Sequence, residues 1–369
     1  MASEALDLFL ELAAVPSPSG EERAVADLVL AYLRDLGLEP DEDDTGPELG
    51  STMGNILVAL EPTVAGEPLF LCAHLDTVPP VDAIEPVVED GVVTNRHAAI
   101  LGGDNKAAVA SMLQGARRIL AEGRPHAGIE LLFTSREETG LEGAYAFDCK
   151  RLKARVGYVY DQAEPIGAVT LGAPSAELLE IVFHGRAAHA GMFPEDGRSA
   201  IAAAARAIAE MRLGRIDEET TANIGTIEGG SAANVVPDLC RLVGEARSHD
   251  ERKLAEQIQS MQDALTFAAG VCECEVETRL KRSYTGYRFA RDDLPVRLAA
   301  DALRSSGFEP RYGLSGGAAD ANVFNERGLA CVNLANGMTD IHTPDERIAV
   351  ADIDAMVDVT LALVDAARS

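Results

Sequence analysis

From residue 25 the apolar positions Val25, Leu28, Val29, Tyr32, Leu33 and Leu36 recur at the spacing of one helix face, and Gly37 ends the run. Ser19 with Glu22 three residues later has the form of a capping box, which makes this the expected first helix. Four short apolar runs follow, "NILVAL", "LFLCAH", "IELLFTS" and "VGYVYD", each with the length and composition of a buried strand. Between the second and third lies "DNKAAVASMLQGARRILAEG", where Val109, Met112, Leu113, Ala116, Ile119 and Leu120 form a helical stripe. Strands alternating with helices predict an α/β layer whose mostly parallel central sheet is flanked by helices.

From about residue 175 the order changes to strand ("AELLEIVFHG"), helix ("GRSAIAAAARAIAEM"), two strands ("ANIGTIEG", "LCRLVGEARS"), helix ("ERKLAEQIQSMQDALTFAAG") and strand ("CECEVETRL"). This β-α-β-β-α-β sequence predicts a ferredoxin-like α+β domain. In its last strand Cys272, Cys274, Val276, Thr278 and Leu280 alternate with polar residues, so they are expected on a buried face, with the two cysteines as core rather than metal ligands. After 285 the chain returns to a helix ("DLPVRLAADALRSSG"), a Gly-rich loop, a strand ("LACVNLANG") and a final helix. The expected organisation is a catalytic domain in two parts, 1–174 and 285–369, carrying an inserted domain at 175–284. The acidic stretch "EPDEDDTGPE" lacks the spacing of a calcium loop and is expected to be a solvated loop.

The chain has 369 residues, 47% of them apolar, which is enough for more than one core, and a formal charge of −28. That charge repels phosphate backbones and anionic lipid, so neither nucleic acid nor a membrane surface is an expected partner. No run of eighteen apolar residues occurs, and the first residues carry acids within their apolar stretch, unlike a signal peptide. The six cysteines are scattered without a CxxC pair, which leaves a reducing cytoplasm as the expected location.

Several polar residues stand where apolar runs stop: His74 and Asp76 in "CAHLDT", Asp104 in "LGGDNK", Glu137 and Glu138 in "TSREETGLEG", Asp161 in "YVYDQ" and His342 in "TDIHTPDE". Taken singly, Asp104 reads equally well as a helix cap, His74 as a core histidine, and Asp161 and His342 as loop residues. In open α/β sheets ligands bind at the carboxyl ends of strands, so residues distant in sequence can converge there. Two histidines with this set of carboxylates match the ligands of zinc, manganese or cobalt. No nucleophile elbow or Walker loop is present, since "GGS" lacks the GxSxG pattern and "GLSGGAADAN" lacks a following GK[ST].

The motifs "HLDTVP", "LGGDNKAA", "SREETGLEGA", "YDQ", "GRAAHAG", "GGSAANVVPD" and "IHTPDE" occur in the order found in the co-catalytic dizinc peptidase family that includes peptidase T, glutamate carboxypeptidase, aminoacylase and succinyl-diaminopimelate desuccinylase. The chain resembles this family from its first helix to its last, and the peptidase T-like branch most. The resemblance implies that His74 and Asp161 hold one metal and Glu138 and His342 the other, with Asp104 bridging. Asp76 would orient the His74 imidazole, and Glu137 would be the general base. Two metal ions, zinc with cobalt and manganese as alternatives, would lie about 3.5 to 4 Å apart and activate a water.

The resemblance further implies that His189 reaches, from a partner subunit, to stabilise the oxyanion. Asn234, Arg247 and the Gly316–Gly317 loop would contact substrate carboxylate or carbonyl groups. As alternatives, His189 is a turn residue and Arg247 forms a surface ion pair. Ala319 and Asn105 depart from the family, which often has Ser or Thr at the first position and Asp at the second. His97, His126, His184 and His249 match no ligand motif. The implied function is a two-metal hydrolase of short peptides, a di- or tripeptide aminopeptidase, that dimerises through the inserted domain. A carboxypeptidase or an N-acyl amino acid deacylase uses the same site. A catalytically silent peptide- or metal-binding protein is the reading from another class, and it predicts loss of the base or a ligand, all of which are present.

Overall fold

The computed structural model describes residues 3–368, which form two compact units: residues up to Gly172 together with those from Arg288 onward, and Ala173–Tyr287. In the first unit the strands Ile129–Thr134, Leu69–His74, Val156–Gln162 and Ala330–Ala335 lie side by side in that order, all parallel. Ile56–Leu60 adds an antiparallel strand at one side and Ala168–Ala173 one at the other, with Arg311–Leu314 parallel to the latter. Leu69–His74 and Ile129–Thr134 are buried along their whole length, the pattern of strands covered on both faces by helices. Their register pairs His74 with Thr134, so the parallel strands finish at one common edge of the sheet.

The long helix Gly103–Glu122 packs against Val350–Ala366, Glu4–Ala13 and the strand Leu69–His74. Val109, Met112, Leu113, Ala116 and Ile119 are buried as expected, whereas Leu120 lies at the exposed end of the stripe. On the sheet, the Phe70 ring meets Phe324 edge to face, with centroids 5.1 Å apart. The same ring fills the space over Gly157, where an added Cβ would lie 2.1 Å from Phe70 Cζ.

The second unit is an antiparallel sheet in the order Gly214–Arg215, Thr220–Gly229, Leu239–Ser248, Ser175–His184, Glu275–Tyr284. The helices Ala200–Glu210 and Glu251–Val271 cover one of its faces, burying Leu179, Ile181, Phe183 and Leu242. Both helices start on side-chain caps, with Ser199 accepting from the Ala202 amide and Asp250 from those of Arg252 and Lys253. The β-α-β-β-α-β order read from the pattern is observed, with the two-residue strand Gly214–Arg215 added after the first helix.

Several local expectations give way to tertiary structure. The first helix is Glu4–Ala13, ahead of Arg23–Asp35, and Glu22 does not cap the latter with its side chain. Ser19 instead donates its hydroxyl to Asp76, and Glu22 is buried, accepting from the Gly20 amide and the Ser51 hydroxyl. The acidic stretch is not a bare solvated loop. Asp41–Glu42 pairs with the strand Ile56–Leu60, and Asp43 accepts from the Asn55 amide and side chain. Leu280, expected inside, is exposed on the edge strand, and Cys272 and Cys274 are only partly buried against the second core. The short strands Pro86–Glu89, Val92–Asn95 and Arg347–Ala349 form a small separate sheet with no strong period to announce it.

Because Gly157 leaves no room for a methyl group under Phe70, Gly157→Ala is expected to destabilise the protein by about 1–3 kcal/mol. A lower urea midpoint at unchanged slope would show this, and an unchanged midpoint would mean that the Phe70 ring moves aside freely.

Candidate metal centre

The common edge of the parallel sheet delivers the site. His74 is the last residue of its strand, Glu137 and Glu138 follow Ile129–Thr134 by a short turn, Asp161 lies near the end of Val156–Gln162, and His342 follows Ala330–Ala335 by a loop. Asp104 enters at the start of Gly103–Glu122 with extended rather than helical torsion angles, so it presents its carboxylate instead of capping the helix. Its two oxygens part company: Oδ1 faces His74 Nε2 at 3.2 Å, and Oδ2 faces His342 Nε2 at 3.1 Å. His342 Nε2 also meets Glu138 Oε1 at 2.9 Å, and Asp161 Oδ1 stands 3.9 Å from His74 Nε2.

Asp76 is fully buried, and besides facing the imidazole it holds the glutamate turn. The His74 ring nitrogen Nδ1 lies 2.9 Å from the Asp76 backbone carbonyl and 3.5 Å from its carboxylate. The carboxylate itself accepts the amides of Glu137 at 2.9 Å and Glu138 at 3.1 Å, so it holds the backbone of both glutamates. With Nδ1 directed at the carbonyl, Nε2 is the ring atom presented to the site.

The crowding of carboxylates sets the proton affinities. Burial pushes the Glu137 carboxyl well above its ordinary range, with Asp161, Asp320 and Glu138 adding to the repulsion. Asp161 is raised well above its ordinary value by burial and by the Asp104 charge. Burial opposes charge on His74, yet its hydrogen bonds to Asp104 and Asp76 hold it well above the usual imidazole range. The contacts with Asp104 and Glu138 push His342 up to about 10. Asp104 resists burial, since the two imidazoles keep it ionised. Without cations, then, the cluster relieves its charge by holding protons.

Residues that sequence reasoning passed over support this centre. Glu346, buried in the quoted "IHTPDE", accepts the amides of Leu101, Gly102 and Asp104 and so clamps the loop that carries Asp104. Asn333 exchanges two hydrogen bonds with the Asp161 backbone. Lys106 is fully buried, donates to the Val15 carbonyl, and is brought down to about 7 by burial. Asp320, at the start of the short helix after the Gly-rich loop, accepts from the Thr134 hydroxyl at 2.6 Å and is pushed up by burial to about 6. Their only sequence signal is position: each stands within a few residues of a motif.

The other expected site residues each have partners of their own. Gly317 donates its amide to Ser315 Oγ at 3.1 Å. In the second unit His189 is exposed on a turn, and its Nδ1 accepts the amides of Gly191 and Met192. The Asn234 carbonyl accepts from the Ala190 amide. Arg247 forks onto Glu245 with bonds of 2.9 and 3.0 Å, the ion-pair alternative rather than an open guanidinium. His97 and His184 lie beside Glu85 and Glu277, and His126 is buried. None of the four extra histidines falls in a metal-binding cluster of the described residues.

The donor set fits a pair of divalent cations. Ligand atoms of His74, Asp104 and Asp161 lie within 4.8 Å of one another, as do those of Asp104, Glu138 and His342, so Asp104 belongs to both groups. Glu137 also reaches His74 and Glu138. Histidine and carboxylate donors suit zinc, cobalt or manganese. Because His342 is protonated at neutral pH without metal, cation uptake must displace protons. Adding zinc to the metal-free protein in weak buffer is therefore expected to release protons, with affinity rising as pH rises through neutrality. Uptake without proton release would mean the cations settle elsewhere.

Comparison with known proteins bears on this centre directly. A peptidase dimerisation domain model of the M20 type matches residues 176–271, and a peptidase family M28 model matches residues 55–163. The uncharacterized protein YqjE of Bacillus subtilis is 36% identical over 98% of this chain and 98% of its own length. The crystal structure of aminopeptidase PepT from Bacillus cereus has 36% identity and a TM-score of 0.91, covering 99% of this chain and 98% of that one. A tripeptidase from Staphylococcus aureus has 33% identity and a TM-score of 0.95, with the same coverage. The M20-type insert, together with whole-length similarity to these two peptidases, decides between the two family names: this chain belongs to the M20 family of dinuclear metallopeptidases, in its peptidase T-like branch.

Proposed function

We propose that the protein is an aminopeptidase that removes the first residue from short peptides, tripeptides and dipeptides in particular. The observation that carries the two-metal hydrolytic part of this reading is the divided Asp104 carboxylate, with one oxygen toward His74 and the other toward His342, beside a glutamate pair of which only Glu138 contacts His342. Similarity to the Bacillus cereus aminopeptidase and the Staphylococcus aureus tripeptidase supports the substrate class.

His74, Asp104 and Asp161 would hold one cation, and Asp104, Glu138 and His342 the other. When bound, the pair supplies Lewis acidity that polarises the scissile carbonyl and acidifies the attacking water. Glu137 accepts a proton from that water and later returns it to the leaving amine. Burial and neighbouring carboxylates raise its proton affinity in the cation-free cluster, and positive charge beside it would favour the carboxylate that a base requires. Asp76 fixes the glutamate backbone, so base and ligand keep their separate directions.

The inserted unit is the proposed dimerisation element, on the strength of its matching domain model. The two amides on His189 Nδ1 put the ring proton of a neutral imidazole on Nε2, a donor suited to a developing oxyanion. In this proposal His189 acts across the dimer, while Asn234, Arg247 and the Gly316–Gly317 loop hold substrate, with Arg247 exchanging Glu245 for the substrate's charge. The native metals are proposed to be zinc. A cytoplasmic location is proposed from the six cysteines, all free thiols; no helix among the described residues is long and apolar enough to cross a membrane.

The test is one tripeptide series, with free ends, N-acetylated and C-amidated, given to zinc-reconstituted protein. Release of the first residue, dependent on the free amine, is expected. Preference for the acyl-blocked peptide with a free carboxylate would establish a carboxypeptidase or deacylase instead. Glu137→Ala is expected to lower kcat by about 10²–10⁴-fold while both metals stay bound, since only proton transfer is lost. Full activity in that variant would remove Glu137 from the mechanism.

A further inference from the structure

We propose that Ser19 is a positioning residue for the reaction, acting through Asp76 on the backbone that presents Glu137 and Glu138. Its hydroxyl donates to Asp76 Oδ2 at 2.6 Å, the oxygen that also accepts the Glu138 amide at 3.1 Å. Asp76 Oδ1 takes the Glu137 amide at 2.9 Å. The buried carboxylate is thus gripped from two sides: the glutamate turn on one and Ser19 on the other. Without the hydroxyl, the glutamate turn would rest on a carboxylate held only by the two amides it accepts.

The segment around Ser19 is built to hold that hydroxyl still. Residues 17–19 run beside the loop after His74. Ser17 Oγ donates to the Leu75 carbonyl, the Thr77 amide to the Ser17 carbonyl, and the Ser19 amide to the Thr77 carbonyl. Behind it the buried Glu22 carboxylate accepts the Gly20 amide at 2.7 Å and the Ser51 hydroxyl at 2.8 Å. Gly20 has a φ of +95°, and an added Cβ would stand 3.1 Å from Arg136 Nη1, the side chain next to Glu137. Helix capping does not explain the Ser19 hydroxyl, because Glu22 gives the helix Arg23–Asp35 no side-chain cap and the Arg23 amide is taken by Thr52 Oγ1. The hydroxyl serves the catalytic loop instead.

This inference rests on Glu137 acting as the base, so its test separates the two. In metal-reconstituted enzyme, Ser19→Ala is expected to lower kcat on the order of tenfold with KM unchanged, the value of one hydrogen bond to a charged group. Ser19→Thr, which keeps the hydroxyl, should restore most of it. Independently of activity, amide hydrogen exchange at Glu137 and Glu138 should speed up in Ser19→Ala and not in Ser19→Thr. Thr52→Ala, which removes a hydroxyl accepting the Arg23 amide at the same helix start, should lower the melting temperature and leave kcat alone. Wild-type kcat and exchange in Ser19→Ala would overturn the proposal, as would equal losses of kcat in Ser19→Ala and Thr52→Ala. An active Glu137→Ala beside faster exchange in Ser19→Ala would instead sink the mechanistic reading and keep the bracket. If Ser19→Ala does not fold, Ser19→Cys, a weaker donor, carries the same comparisons.

Discussion

Mutual repulsion among the carboxylates at one edge of the parallel sheet governs the rest of this structure. Asp104, Glu137, Glu138 and Asp161 converge there with little water to screen them, because each is delivered by the end of an element whose body is buried. A cluster of this kind has two ways to exist, by taking up protons or by taking up cations. The pull of His74 and His342 on Asp104, and the raised proton affinities of Glu137 and Asp161, describe the first state. The second is the one for which the spacing of the donor atoms is suited.

That constraint explains why the surroundings are polar at places where a core would ordinarily be apolar. The amides of Leu101, Gly102 and Asp104 and those of the two glutamates need acceptors, and Glu346 and Asp76 supply them from inside the protein. A buried carboxylate bonded to several amides is well satisfied, and it fixes a loop more firmly than one hydrogen bond can. The metal-facing side chains can therefore be held close together by backbone geometry rather than by attraction between one another.

Much of this was legible in the chain because buried strands write unbroken apolar runs, and a polar residue that ends such a run is conspicuous. His74, Asp161 and the Glu137–Glu138 pair show themselves in that way, and the alternating order of strands and helices gives the central layer. Ser19 and Glu22 were misread because the S-x-x-E pattern is local, while their partners Asp76 and Ser51 are not. Nothing local marks Glu346 as a clamp for a loop more than two hundred residues away. Likewise Arg247 looks like a free guanidinium until Glu245, two positions back on the same face of the strand, is seen to occupy it. The small sheet around Val92–Asn95 is too short and too mixed in polarity to carry a period.

The reach of Glu346 also fixes the order in which the centre comes into being. Its bonds to Leu101, Gly102 and Asp104 span 245, 244 and 242 residues, and His342 meets Asp104 across 238. On the ribosome the first histidine, the shared aspartate and both glutamates emerge long before the segment that secures and completes them. The nascent chain therefore carries an unanchored half-centre until that segment has been made. Hydrolytic competence follows the segment that carries His342 and Glu346, and the earlier segment with both glutamates is not sufficient for it.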